Sequence, residues 1–139
     1  MKNKTAIFLV ILVVVLAAAC QSASELEQAQ YYSGGKDLYI AKCQNCHGAK
    51  GEGLGKLAPP LTDKHFLTVN KSQLACIIKF GANQPMQING VNYHEKMPAF
   101  NELQSIDTAK LIVYITNSFG NQQGPYKHDL VEEDLKNCQ

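Results

Sequence analysis

The sequence predicts an all-α domain, and three observations carry that prediction. Apolar residues recur at helical spacing in two stretches, 34–43 and 106–118. Capping residues and glycine stops divide the middle of the chain into shorter helices. One stretch, 87–93 (QINGVNY), instead sets β-prone residues around Asn89-Gly90, a tight-turn dipeptide, and reads as a small hairpin.

In chain order, residues 1–19 read as an export leader. Lys2 and Lys4 make a positive start, and residues 6–19 form an unbroken apolar run of 14 that is too short for a membrane span. The run ends at Cys20 behind Leu16-Ala17-Ala18-Ala19, which resembles a bacterial lipobox with Ala17 where a larger aliphatic residue is usual. A lipidated Cys20 as mature N-terminus is the expectation; cleavage after Ala19 to a soluble periplasmic protein and retention as an uncleaved anchor stay open. All three put the folded part on the outer side of the cytoplasmic membrane. The polar residues 20–33 are expected to be a solvated tether.

The domain is expected over 34–120. Gly35, Tyr39 and Cys43 lie at i, i+4 and i+8 on one helical stripe, where the glycine lets another helix approach closely. Its partner is the helix 106–118, with Leu111, Tyr114 and Ile115 on one face, Ser105 as cap and Gly120 beyond its end. Between them the sequence predicts helices at 63–69 and 71–80, the second capped by Asn70, with Gln73 in its first turn and Gly81 as stop. Residues 121–139 form a C-terminal extension. Asp129 caps a last helix there, 130–137, with Glu132 completing the capping box.

Chemistry enters at residues 43–47, CQNCH. Cys-x-x-Cys-His is the attachment sequence of c-type haem: two thiols add to the porphyrin vinyl groups and the histidine takes the iron. On a helix Cys43, Cys46 and His47 project to one side, within reach of one flat macrocycle. A redox dithiol would follow a strand in a βαβ unit, and zinc would need a second close Cys or His pair. The sequence offers neither. Five cysteines in an exported chain leave Cys76 and Cys138 over once Cys43 and Cys46 hold haem and Cys20 holds lipid, so these two are expected to form a disulfide.

Charge excludes nucleic acid as a partner. All 13 basic residues are lysines and they are scattered; without the two in the leader, 11 face 12 acids for a net charge of −1.

These features together resemble class I cytochrome c from Gly34 to about Gly120. The likeness rests on GKDLYIAKCQNCHG, the segment GAKGEGLGKLAPPL, MPAF at 97–100 and the long helix that follows. It implies a cytochrome c fold, in which N- and C-terminal helices cross around one haem, with Gly35 and Tyr39 meeting Tyr114 at the crossing. It implies that the Pro59 or Pro60 carbonyl fixes the tautomer of His47, and that Tyr39 and Phe100 contact the macrocycle. For the sixth iron ligand the resemblance points to Met97, ahead of Met86 and of His65, His94 and His128. NGVNYHEKMPAF and SFGN look most like small bacterial cytochromes associated with dehydrogenases or terminal reductases.

A His/Met centre with both axial positions filled moves one electron and binds no substrate. The expected function is therefore a one-electron carrier between periplasmic or membrane-bound redox partners, a donor and an acceptor of the dehydrogenase, oxidase or reductase kind, rather than an enzyme. Lys42, Lys50, Lys56 and Lys96, interrupted by Glu52 and Glu95, are candidates for a docking rim. The alternative is a permanent subunit of a dehydrogenase or terminal reductase. A haem peroxidase or gas sensor using His94 ranks below both.

Overall fold

The computed structural model describes residues 23–138; the expected leader and Cys20 lie outside them. In chain order the elements are α1 (Ala23–Lys42), α2 (Gln44–His47), α3 (Lys64–Val69), a 3-10 turn (Lys71–Gln73), α4 (Leu74–Phe80), β1 (Met86–Ile88), β2 (Val91–Tyr93), α5 (Ser105–Thr116) and α6 (His128–Lys136). The architecture is helical with one two-stranded antiparallel ribbon.

Helix α5 is the centre. Every residue from Thr108 to Thr116 except Lys110 is buried, so the helix is covered on nearly all sides rather than on one stripe. Its two buried threonines satisfy their hydroxyls locally: Thr108 Oγ1 donates to the Gln104 carbonyl at 3.1 Å and Thr116 Oγ1 to that of Ile112 at 2.6 Å. Helix α1 crosses α5 at Gly35. A Cβ there would stand 2.0 Å from the Lys110 carbonyl oxygen, so only glycine permits this approach. Around the crossing, Tyr114 packs against Tyr32, Tyr39 and Phe119 at ring-centroid distances of 5.1, 5.2 and 5.7 Å.

The expectation for residues 20–33 needs correction over its described part. Residues 23–33 are the first half of α1, and Tyr31 is buried. Tertiary contacts make this segment structure: Tyr31 Oη lies 3.2 Å from His128 Nδ1, Lys127 Nζ lies 3.3 Å from Glu27, and Ser118 Oγ donates to Tyr32 Oη at 3.0 Å. Ala, Glu, Gln and Leu are strong helix formers, and the polarity of the Ser, Glu and Gln residues masked that propensity.

Smaller differences concern caps. Asp63 caps α3 as its carboxylate accepts from the Phe66 N–H at 3.0 Å, but Asn70 turns its amide back to the Phe66 carbonyl and leaves the next turn as 3-10. Ser105 and Asp129 lie inside α5 and α6 rather than before them; Gln104 and Lys127 stand at those N-caps and make no side-chain capping bond. The hairpin turns at Asn89 and Gly90, with φ of 50° and 76°, which is the mirror-image turn favoured by strand twist.

The C-terminal extension docks rather than trails. Val131 is fully buried, Tyr126 is buried beside Lys71 Nζ at 5.3 Å from its ring centre, and Cys138 is bonded to Cys76 of α4 with Cα atoms 5.6 Å apart. No described helix is long and apolar enough to cross a membrane.

Candidate functional site

The backbone carries α1 helically into the CQNCH segment, the Cys43 N–H donating to the Tyr39 carbonyl at 2.8 Å, and then restarts as α2. Cys43 is buried, Cys46 is exposed, and both thiols are free. Burial pushes the Cys43 thiol up to about 11, with Lys42 opposing and Cys46 reinforcing the shift. Burial likewise holds His47 below its ordinary value, partly offset by the bond to Pro59. The imidazole is therefore neutral at physiological pH, the form that ligates metal.

Loop residues 48–61 fold back over His47. The Gly53 N–H donates to the His47 carbonyl at 2.8 Å and the Leu61 N–H to that of Gly51 at 2.8 Å. His47 Nδ1 lies 2.9 Å from the Pro59 carbonyl oxygen. A carbonyl only accepts, so Nδ1 carries the proton and Nε2 keeps its lone pair for a metal.

Opposite stands the segment around Met97, gripped by the end of α4. Met97 and Ala82 exchange backbone bonds of 2.9 and 3.1 Å, the Phe100 N–H donates to the Ile78 carbonyl at 3.2 Å, and Lys79 Nζ donates to the Asn101 and Leu103 carbonyls. Gly81 makes the grip possible, because a Cβ at its φ of 75° would lie 2.4 Å from the Met97 carbonyl oxygen.

Between the two sides lies a cleft of about 1200 Å³ including its open mouth, and its lining brings together Cys43, Cys46, His47, Pro59, Pro60, Met97 and Phe100. Its walls are apolar side chains from α3, α4, the hairpin and α5, among them Phe66, Ile78, Tyr93 and Ile115. Two free thiols, a neutral imidazole with one nitrogen committed, a thioether and apolar walls fit a covalently held haem. Met86 also lines the cleft, whereas His65, His94 and His128 do not. Of the lysines, Lys42 and Lys96 stand at the lining with Glu95, and Lys42 is engaged by Glu102 at 2.6 Å; Lys50 and Lys56 lie outside it.

Tyr39 is a correction. Expected among the cofactor contacts, it does not line the cleft; it supports the motif from behind, donating from its hydroxyl to the Gly48 carbonyl at 2.6 Å with its ring against Tyr114 and Phe119. Burial raises its pKa, so the phenol stays a donor. Sequence reasoning missed the walls contributed by Phe66, Ile77 and Ile78. Their signal was the apolar content of the two short helices, which names a core without saying what it surrounds.

The family model described as cytochrome c oxidase, cbb3-type, subunit III matches residues 32–115. The cytochrome c subunit of a quinone alcohol dehydrogenase from Gluconobacter oxydans (strain 621H) is 26% identical over 103 residues, 73% of this chain and 21% of that protein. The chain thus spans about a fifth of that relative's length. Among solved structures, the c-type cytochrome XoxG from Methylobacterium extorquens AM1 is similar at 24% identity, over 78% of this chain and 67% of that one, with a TM-score of 0.42.

Proposed function

The chain belongs to the cytochrome family of cbb3-type oxidase subunit III, and on that premise we propose that it carries single electrons between redox proteins through one haem c. Cys43 and Cys46 would hold the macrocycle as thioethers, and His47 and Met97 would supply the iron's protein ligands. The observation that carries this reading is the common cleft onto which all four side chains open.

Haem so ligated supplies an iron that cycles between two oxidation states without room for substrate. The protein's part is to hold and tune. The Pro59 carbonyl keeps the proton on Nδ1 of His47 and strengthens its donation through the other nitrogen. The α4 grip on Met97 presents a thioether, which favours the reduced state relative to a second imidazole. Apolar walls keep water away, and the mouth near Lys42, Glu95 and Lys96 is where partners dock, over a small area and weakly enough to part again.

The holoprotein should be heavier than the polypeptide by one haem, and its reduced absorption spectrum should not change under carbon monoxide. A carbon-monoxide-induced shift would make this an open site and revive the peroxidase or sensor reading, against which the exposed position of His94 outside the cleft already counts. The second reading is a permanent subunit, favoured by the relative that is a cytochrome c subunit of an alcohol dehydrogenase. Copurification with a dehydrogenase at fixed stoichiometry through salt and gel filtration would establish it over the carrier. We place the protein on the periplasmic side, anchored through a lipidated Cys20, with a soluble periplasmic form as alternative.

A further inference from the structure

The His47 to Pro59 bond depends on a loop, and that loop is braced from the far end of the chain. Asn121 is 1% exposed, and its Nδ2 donates to the Leu61 carbonyl at 2.9 Å and to the Ile115 carbonyl at 3.3 Å. Its Oδ1 accepts no bond from the protein, and turning the amide over would press that oxygen against both carbonyls, so Asn121 acts as a donor. Leu61 is two residues beyond Pro59. Ile115 belongs to the central helix α5 and lines the cleft. Two positions before Asn121, the Phe119 ring fills the space above Gly51, where a Cβ would stand 2.6 Å from it, and Gly51 is the residue whose carbonyl holds Leu61. Phe119 adopts φ of 56°, a conformation that a non-glycine residue keeps only where its surroundings enforce it.

We propose that Asn121, seconded by Phe119, is a positioning residue that pins the 51–61 loop to α5 and thereby sets the strength of the His47 to Pro59 hydrogen bond and the reduction potential. This rests on His47 being the axial ligand of a covalent haem. Without Asn121, the loop gains freedom, the Nδ1 proton is held less firmly, and imidazole donation to the metal weakens. Weaker donation favours the reduced state and raises the potential. Simple loosening that admits water near the metal would lower it, so the sign separates positioning from general destabilisation.

The test uses the full-length holoprotein as wild type, Asn121→Leu, Phe119→Leu and Val131→Ala, the last a buried change in α6 remote from the loop. Exchange of the His47 Nδ1 proton with solvent, followed by NMR in the reduced state, should quicken by about tenfold in Asn121→Leu. Its reduction potential should rise while the near-infrared sulfur-to-iron band persists. Val131→Ala should lower the unfolding midpoint and leave proton and potential alone. Wild-type exchange and potential in Asn121→Leu, a lowered potential, or an equal response in Val131→Ala would overturn the proposal. Should Asn121→Leu fail to fold, Phe119→Leu reads the same proton and potential: faster exchange with a raised potential supports the proposal, and wild-type values or a lowered potential overturn it. A wild type without covalent haem would overturn the reading beneath it, an outcome visible before any variant is made.

Discussion

Met97 and Met86 both line the cleft, and what separates them is the backbone. Met97 is locked to Ala82 by a reciprocal pair of bonds, whereas Met86 opens β1 at the end of a two-stranded ribbon away from its turn. Replacing Met97 by Ala should abolish the near-infrared sulfur-to-iron band, lower the potential and let carbon monoxide or imidazole bind. If the band persists in Met97→Ala and vanishes in Met86→Ala, the ligand is Met86. Gly35→Ala tests a different residue-scale constraint. With 2.0 Å between the new Cβ and the Lys110 carbonyl, the crossing helices must part, at a cost of about 3 kcal/mol measured by denaturant unfolding. The place of Met97 at the cleft was legible through Pro98 and the MPAF setting, and that of Gly35 at the crossing through its stripe with Tyr39 and Cys43. Asn121 was not: a single polar residue after a helix carries no sign that its amide will reach a carbonyl 60 positions away.

Among elements, α4 is held on two sides, gripping the Met97 segment at its end and bonded through Cys76 to Cys138, two residues past the end of α6. Reduction, or the Cys76→Ser and Cys138→Ser pair, releases a loop of 62 residues and should cost about 4 kcal/mol of stability by chain entropy. The denaturation midpoint should fall accordingly; an unchanged midpoint would mean that α6 docks by packing alone. Asp134 gives α6 a pH response. Burial raises its pKa above the ordinary 3.8, so its protonated form favours the folded state. That stability is fully present below 3.8 and is lost as pH rises through the higher folded value, and Asp134→Asn, still able to accept from the Tyr126 hydroxyl, should flatten this dependence in denaturation curves taken from acid to neutral pH. Helix existence was readable from periodicity, and the hairpin from Asn89-Gly90. The first half of α1 was not, because polar side chains hid its helix propensity and the contacts that hold it, from Lys127 and His128, come from the other end of the chain.

At the scale of the whole molecule, the first half of α1 lies against the C-terminal extension through Tyr31, His128, Glu27 and Lys127. Fatty-acid labelling should tag the wild type and not Cys20→Ser; no label on the wild type would favour cleavage after Ala19. With Cys20 lipidated as proposed, the point where α1 is first tied to the fold, Glu27 to Lys127, bears on geometry in the cell. Glu27 is seven residues beyond Cys20, a stretch that spans at most about 25 Å even when fully extended. A domain of this size is roughly 35 Å across. On such a stem, shorter than the domain is wide, a lipidated form would not roam the periplasm on a leash. It would skim the bilayer, and its donor and acceptor would have to present their redox centres in the thin layer that the domain sweeps, so the search for partners would narrow from a volume to a surface.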